Sequence, residues 1–218
     1  MKFSKEEIRA SMQLYAVTDR SWLREQSLTE VCREVLEGGA TFLQLREKEL
    51  DEAGFVREAR ELKELCARYR VPFVVNDSVE IALAVDADGV HVGQSDLRGR
   101  DIRAMLGPDK ILGISAGTVE EAAAAQRAGA DYIGVGAVFG TSTKKDARNL
   151  SLDQLRAITQ AVTIPVVAIG GISAANLPEL AGSGIHGVAV VSAIFGAEHP
   201  GQAAAELLRL SREMTACG

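Results

Sequence analysis

The stretch TFLQLREK at residues 41–48 decides how this chain is organised. Strand periodicity places Gln44, Arg46 and Lys48 on one face and two leucines on the other. Two cations and an amide that converge at a strand end have a large desolvation cost unless a polar or anionic ligand meets them, so this face predicts a binding site. Solvated edge residues are the alternative from this strand alone, because most charged side chains face water.

A β-rich run followed by an amphipathic helical stretch recurs along the chain on both sides of this strand. Eight runs are of this kind, at residues 14–19, 41–47, 72–77, 89–93, 110–116, 132–139, 165–171 and 187–193. The clearest helical stretches lie at residues 51–68, 118–128, 151–162 and 201–214, where apolar residues recur at helical spacing. Eight strand–helix units in 218 residues predict the α/β class and a single (β/α)8 TIM barrel.

A doubly wound open sheet is the competing fold, since it alternates strands and helices in the same way. Two features favour closure of the sheet. The eight runs leave no strand over, and no GxGxxG motif follows the first run, where a dinucleotide-binding fold would need it. We therefore expect residues 1–218 to form one domain, with the barrel proper at about residues 14–215.

Composition excludes several classes of partner. The formal charge of −6 and the isoelectric point near 5.2 argue against nucleic acid, because nonspecific binding to phosphates needs a basic surface. No stretch approaches the ~20 apolar residues that span a bilayer, and the first residues lack the apolar run of a secretory signal, which predicts no membrane partner. Three cysteines without paired metal spacing favour a reducing compartment. The sequence thus predicts a cytoplasmic protein of small-molecule partners, with homo-oligomer formation left open.

In a barrel, reacting groups come from the C-terminal strand ends, so the polar residues that end each run form one candidate site. Cations come from two walls, Arg46 with Lys48 and Lys144 with Lys145, and the carboxylates Asp77 and Asp96 lie between them in the chain. The full set also includes Gln44, Asn76, Gln94, Ser95, Ser115, Thr141, Ser142, Thr143, Gly170, Gly171 and Ser192. Carboxylates among cations would repel a polyphosphate unless a hard metal ion bridges them, so the set predicts Mg²⁺ with a diphosphate.

Each carboxylate also has a structural explanation. Asp77 precedes the helical stretch SVEIAL and could be its N-cap, and Asp96 could be a loop or cap residue before the next helix. The metal hypothesis therefore depends on the pair. After the seventh and eighth runs, Gly170 and Gly171 together with Ser192 predict a second phosphate site, where a simple tight turn at the glycines is the alternative.

Eight short motifs, taken together and in this order, resemble the thiamine-phosphate synthase family, also called thiamine-phosphate pyrophosphorylase. They are QLREK at 44–48, ND at 76–77, HVGQSD at 91–96, GIS at 113–115, GVG at 134–136, TSTK at 141–144, AIGGI at 168–172 and VS at 191–192. The resemblance runs from about residue 14 to the final helix. It implies a TIM-barrel transferase that joins a pyrimidine diphosphate to a thiazole phosphate with release of pyrophosphate. Dissociative chemistry is also implied, in which Mg²⁺ assists pyrophosphate departure and the thiazole nitrogen captures the pyrimidine-methyl cation.

The resemblance also implies roles for residues at matching positions. Ser115, Lys144 and Arg46 would be catalytic, and Asp77 and Asp96 would bind the metal. The pyrimidine diphosphate would contact Gln44, Leu45, Arg46, Glu47, Lys48, Asn76, Ser115 and Lys144. The thiazole phosphate would contact Thr141, Ser142, Thr143, Gly171, Val191 and Ser192. His91 is interpreted as a hydrogen-bonding residue near a strand end, because one histidine without a paired partner is weak evidence of catalysis.

Two other functions stay open at this point. A thiazole tautomerase would share the barrel and need a phosphate site with an acid–base group, but it would not need the cluster of cations and carboxylates. A non-catalytic protein that binds thiamine precursors could retain the pocket without the complete set of charged residues. Release of pyrophosphate in the presence of both substrates and Mg²⁺ distinguishes these alternatives.

Overall fold

Eight short parallel strands close into a barrel in the computed structural model, which describes residues 3–97, 99–140 and 150–216. The strands pair in chain order, and the last pairs with the first, with Tyr15 opposite Ala189. They are β1 Leu14–Val17, β2 Phe42–Leu45, β3 Phe73–Asn76, β4 Gly89–Val92, β5 Ile111–Ala116, β6 Tyr132–Gly136, β7 Val166–Ile169 and β8 Gly187–Val190. The predicted (β/α)8 barrel is confirmed and the open doubly wound sheet is wrong.

Helices surround the barrel and connect its strands. They are α1 Lys5–Ala10, α2 Leu28–Glu37, α3 Glu52–Tyr69, α4 Val79–Ala84, α5 Ile102–Leu106, α6 Val119–Arg127, α7 Leu152–Ala161, α8 Ser192–Phe195 and α9 Pro200–Ala216, with short 3₁₀ helices at Arg20–Trp22 and Leu177–Leu180. The four helices predicted most clearly are confirmed, and Asp51, Thr118 and Ser151 are the N-caps of α3, α6 and α7. None of the helices in the described ranges is long and apolar enough to cross a membrane.

Alternate strand residues divide the apolar core into two layers. Side chains such as Leu43 and Leu45 point outward and pack with the surrounding helices in a large outer cluster. Side chains such as Phe42, Val74 and Val167 point inward and fill the lower part of the barrel. Both layers are buried, which explains why the strands are almost continuously hydrophobic and alternate only at their C-terminal ends.

Helix α1 closes the N-terminal end of the barrel, and the sequence reading did not predict it. Ser4 and Glu7 form a reciprocal capping box that starts the helix. Ile8 and the following Met12 are buried in the inner cluster, against the strand residues that fill the barrel. Burial of two side chains of this size stabilises the fold by about 2 kcal/mol each before entropy is counted. The extent of the domain, residues 1–218, stays a prediction.

Candidate functional site

A cavity of about 500 Å³ opens at the C-terminal ends of the strands. This volume is within the usual range for small-molecule sites. Gln94, Ser95 and Gly170 of the predicted set line it. So do nine of the residues to which the family resemblance gives a role: Gln44, Arg46, Lys48, Asn76, Asp77, Ser115, Gly171, Val191 and Ser192. They come from β2, β3, β5, β7 and β8 or from the loops that follow them, so the closed barrel brings together residues far apart in the chain. Thr141, Ser142, Thr143, Lys144 and Lys145 lie outside the described residues.

The predicted alternation along β2 is confirmed, with a correction for two members of the motif. Gln44 points into the barrel and lines the cavity, as do Arg46 and Lys48 beyond the strand. Leu45 points the other way and is fully buried in the outer core, because strand periodicity places it on the helix-facing side. The Glu47 side chain is only 1% exposed and also points away from the cavity. Neither side chain is placed to contact a ligand there.

Glu47 instead organises the loop that bears Lys48. Its Oε1 accepts hydrogen bonds from the backbone N–H groups of Lys48, Glu49 and Leu50 at 2.7, 2.6 and 3.2 Å. Its Oε2 accepts from Arg20 Nε at 3.0 Å. Burial opposes ionisation of Glu47, but these hydrogen bonds outweigh it and hold its pKa below the ordinary value. The carboxylate therefore fixes the backbone between β2 and α3.

Glu58 completes the network behind this loop. Its Oε1 accepts a short hydrogen bond from Arg20, which bridges the two carboxylates. Its Oε2 is buried without a hydrogen-bond partner within the described ranges. Burial raises the pKa of Glu58 despite the guanidinium of Arg20. Arg20 thus links helix α3 to the loop through the half-buried Glu58 and the buried Glu47.

Asp77 is the acidic residue at the mouth of the cavity. Its Oδ2 accepts a hydrogen bond from Lys48 Nζ at 2.9 Å, and its side chain is 38% exposed. The N-cap of α4 is Ser78, whose hydroxyl accepts from Ile81 N–H, so the capping explanation for Asp77 is wrong. Asp77 has a φ of 62°, which is unfavourable for residues other than glycine and is often found at functional sites. Its carboxylate is therefore available to a ligand in the cavity.

Asp96 has a local structural role. Its Oδ2 accepts from the Gly93 backbone N–H at 2.9 Å and closes the turn after β4. The N-cap of α5 is Asp101, so Asp96 is a loop residue and not a cap. Across the part of the chain that the structure describes, no group of three or more His, Cys, Asp or Glu side chains is arranged to hold a metal ion.

The opposite wall of the cavity consists largely of backbone. Gly170 and Gly171 have φ values of 105° and 63°. A Cβ on Gly171 would lie 2.3 Å from the Gly140 carbonyl oxygen, so this position needs glycine for space as well as for conformation. Asn176 donates to the Gly171 carbonyl at 2.9 Å and holds the turn. The predicted tight turn is present, and it lines the cavity beside Val191 and Ser192.

A chain of hydrogen-bonded side chains crosses the floor of the cavity. Gln44 Nε2 lies 2.5 Å from Tyr15 OH, which lies 2.7 Å from Tyr132 OH. Tyr132 OH lies 3.0 Å from His91 Nδ1, and His91 Nε2 lies 3.0 Å from Ser115 Oγ. Burial raises the pKa of both phenols well above the ordinary value, so both remain protonated. The interpretation of His91 as a hydrogen-bonding residue agrees with these contacts.

The sequence reading missed Tyr15 and Tyr132. Each occupies an inward-facing strand position that a barrel usually fills with an aliphatic side chain. A buried phenol needs a hydrogen-bond partner, so two tyrosines at inward positions were a usable signal of a polar network in the floor.

Glu121 also lines the cavity, and it accepts from the Gly117 backbone N–H at 2.7 Å.

Comparison with known proteins places this site in a family. The family model described as "Thiamine monophosphate synthase" matches residues 14–194, which include every strand of the barrel. The chain belongs to the thiamine monophosphate synthase family. This membership confirms the family that the sequence motifs indicated.

Individual members of the thiamine monophosphate synthase family are similar over most of the chain. A thiamine-phosphate synthase from Alkaliphilus oremlandii is 52% identical over 194 residues, covering 89% of this chain and 93% of that protein. One from Clostridium tetani is 48% identical over 194 residues with the same coverage. The solved structure of thiamine phosphate pyrophosphorylase from Pyrococcus furiosus has a TM-score of 0.87 and 42% identity, covering 95% of this chain and 98% of that one.

Proposed function

We propose that this chain is a thiamine-phosphate synthase, a transferase that condenses 4-amino-2-methyl-5-(diphosphooxymethyl)pyrimidine with a thiazole phosphate to give thiamine phosphate and pyrophosphate. One observation supports this reaction above the others considered. A single cavity has a cationic and amide wall at Arg46, Lys48 and Asn76 and, opposite it, a glycine wall at Gly170 and Gly171. Two separate anion sites suit one substrate with a diphosphate and one with a phosphate, whose rings must be brought together for the new carbon–nitrogen bond.

The donors near Asp77 fit Mg²⁺. This ion prefers hard oxygen ligands and is commonly bound by one or two carboxylates together with substrate phosphates and water. Asp77 is at the mouth, has no capping role and is paired only with Lys48 among the contacts described, so it would be the principal protein ligand. Asp96 has one oxygen engaged by Gly93 N–H and would contribute the other. When bound there, Mg²⁺ would supply charge neutralisation for the diphosphate oxygens.

The described residues account for the order of events. Arg46 and Lys48 attract the diphosphate and stabilise the negative charge that grows on it as the carbon–oxygen bond breaks. Gln44, on the buried floor, would hold the aminopyrimidine ring in a fixed orientation. The glycine wall with Val191 and Ser192 would hold the thiazole phosphate so that its ring nitrogen faces the pyrimidine-methyl cation. Capture by a positioned nitrogen needs no strong base.

The remaining assignments belong to the same proposal. Lys144 would join Arg46 and Lys48 on the diphosphate, and Thr141, Ser142 and Thr143 would join the thiazole phosphate site, as the sequence motif implies. Small molecules are the proposed partners, in a cytoplasmic enzyme whose buried Cys32 and Cys66 suit a reducing compartment. A tautomerase would not need the cationic wall that suits a diphosphate, and a binding protein would bind the substrates without converting them.

Release of pyrophosphate tests the function directly. With both substrates and Mg²⁺, the purified chain is expected to release pyrophosphate and form thiamine phosphate in equal amounts, and excess chelator is expected to stop both. An assay that lacks the thiazole phosphate is the control, because a tautomerase or a binding protein would give the same silent result in both mixtures. Equal rates with and without chelator would contradict the role of Mg²⁺.

Ser115→Ala is expected to slow the chemical step more than it weakens thiazole binding. Ser115 lies on β5 and lines the cavity, and its hydroxyl is the last group in the chain of hydrogen bonds across the floor. Loss of one hydrogen-bond donor to a developing anion commonly lowers kcat by about 10²-fold or more. Initial-rate kinetics with both substrates measure this. A raised KM for the thiazole phosphate at unchanged kcat would move Ser115 to the other subsite.

A further inference from the structure

Four hydrogen bonds cross the floor of the cavity, and each uses one hydrogen atom, so the donor in one bond constrains the donor in the next. This floor chain consists of Gln44, Tyr15, Tyr132, His91 and Ser115. Tyr15 and Tyr132 are each no more than 1% exposed, and their hydroxyls face each other at 2.7 Å. A phenol has one hydrogen to donate, and a neutral imidazole has one donor and one acceptor nitrogen. When each hydroxyl accepts from one neighbour and donates to the next, the direction of the first hydrogen bond sets the direction of all those that follow.

The direction starts at Gln44. Its Nε2 donates to Tyr15 OH, which leaves its Oε1 to accept from a ligand in the cavity. That arrangement suits the proposed substrate, because the 4-amino group of the pyrimidine is a donor and needs an acceptor. The two contacts that follow fix distances and leave either atom free to donate. If Tyr15 passes its hydrogen on in the same direction, it donates to Tyr132, and Tyr132 donates to His91 Nδ1. An Nδ1 that accepts requires the hydrogen of the neutral ring on Nε2, which faces Ser115 Oγ.

We propose that Tyr15 and Tyr132 are positioning residues that fix His91 as its neutral Nε2–H tautomer and thereby direct the Ser115 hydroxyl hydrogen into the cavity. Because Ser115 Oγ accepts from His91, its own hydrogen cannot point back at the ring. Ser115 becomes a donor aimed at ligand, ready to stabilise the oxygen on which charge develops. This inference rests on the proposed function for its chemistry, but the tautomer itself is a property of the protein without substrate.

A floor chain with its hydrogen bonds in the opposite direction would give Ser115 a different role. If Gln44 accepted from Tyr15 through its oxygen, every link would turn round, His91 would hold its hydrogen on Nδ1, and Ser115 would donate to Nε2. Ser115 would then offer only lone pairs to the cavity, which suits proton abstraction and not stabilisation of a departing anion. The two directions are distinguishable, because they place the imidazole hydrogen on different nitrogens.

Nitrogen-15 NMR of the histidine side chains in the substrate-free protein tests the tautomer. The chain has three histidines, so His186→Gln and His199→Gln assign the spectrum. At a pH of about 8, above the ordinary imidazole pKa of ~6.5, the wild-type His91 is expected to show Nε2 as the protonated nitrogen and Nδ1 as the bare one. A wild-type His91 with its hydrogen on Nδ1 would overturn the proposal.

Two variants test whether the floor chain determines the His91 tautomer. Tyr132→Phe removes the hydroxyl that donates to Nδ1 and is expected to give a mixture of tautomers. Gln44→Glu replaces the donor with a carboxylate that only accepts, and it is expected to reverse the chain and move the hydrogen to Nδ1. Tyr69→Phe is the matched control, because Tyr69 is on the outer surface and donates to Glu37. A His91 tautomer unchanged in both Tyr132→Phe and Gln44→Glu would overturn the proposal.

Kinetics give an independent readout of positioning. Tyr132→Phe is expected to lower kcat by about tenfold while the KM for the thiazole phosphate stays within about twofold of the wild-type value, since the loss is confined to the transition state. Tyr69→Phe is expected to leave both unchanged. Unchanged kcat in Tyr132→Phe would contradict the link to Ser115. A purified protein without synthase activity would refute the proposed function. The NMR measurement would still test the His91 tautomer, because it does not depend on activity.

Discussion

Asp77→Asn is expected to lower kcat/KM by about three orders of magnitude while the barrel stays folded, because it removes the carboxylate best placed to bind Mg²⁺. Asparagine is the informative replacement. Asp77 has a φ of 62°, which asparagine tolerates better than alanine does, so the change removes charge without adding backbone strain. Steady-state pyrophosphate release over a range of Mg²⁺ concentrations measures the effect, and raised Mg²⁺ is expected to restore part of the rate.

The chain offers a matched control for this variant. Asp86 also has a positive φ, 52°, and is also paired with lysines, Lys63 and Lys110. These lysines hold the pKa of Asp86 at about 2, but its side chain is 80% exposed, so the pairs add little stability in water. Asp86→Asn is expected to leave the rate unchanged. Wild-type turnover in Asp77→Asn, or an equal loss in both variants, would show that the metal site is misassigned.

Glu47→Ala is expected to lower the free energy of unfolding by about 3 kcal/mol, the usual loss when one member of a buried charged network is removed. The variant leaves three backbone N–H groups without their acceptor and leaves Arg20 with Glu58 alone. Because the same loop presents Lys48, we also expect a raised KM for the pyrimidine diphosphate. Urea denaturation and initial-rate kinetics measure the two effects.

Glu49→Ala is the control for this second variant, since the Glu49 side chain is exposed and only its backbone N–H bonds to Glu47. It is expected to change the free energy of unfolding by less than about 0.5 kcal/mol. If Glu47→Ala unfolds at the wild-type urea concentration but loses binding of the diphosphate, Glu47 contacts substrate as the motif first implied, and its structural role is wrong.

Most of the barrel could be predicted from sequence because each strand has a recognisable local sequence pattern. Runs of β-branched residues end in polar groups and are followed by capped helices, so strand order and closure follow from counting eight units. Helix α1 was missed because it precedes the repeat and is only six residues long, although the capping pair Ser4 and Glu7 was visible. The 3₁₀ helix Leu177–Leu180 was missed because Pro178 interrupts helical periodicity.

The site was predicted where side-chain parity along a strand decides what faces the cavity, as for Gln44, Arg46 and Lys48. It could not be predicted where hydrogen-bond partners decide the role. The motif makes Glu47 look like a ligand contact, but Arg20, remote in sequence, draws it away from the mouth. The floor chain joins Tyr15 to Tyr132, which lie on strands that are not neighbours. An inward-facing tyrosine indicates a buried polar contact, but no local sequence pattern identifies its partner.

Because helix α1 and the inner core fill the barrel from below, the cavity opens, in the part of the chain that the structure describes, at the C-terminal ends of the strands. For the proposed reaction, we expect the pyrimidine to bind before the thiazole, whose ring would then shield the reactive cation from bulk water and suppress its hydrolysis. We therefore expect the second substrate to close the cavity as well as to react.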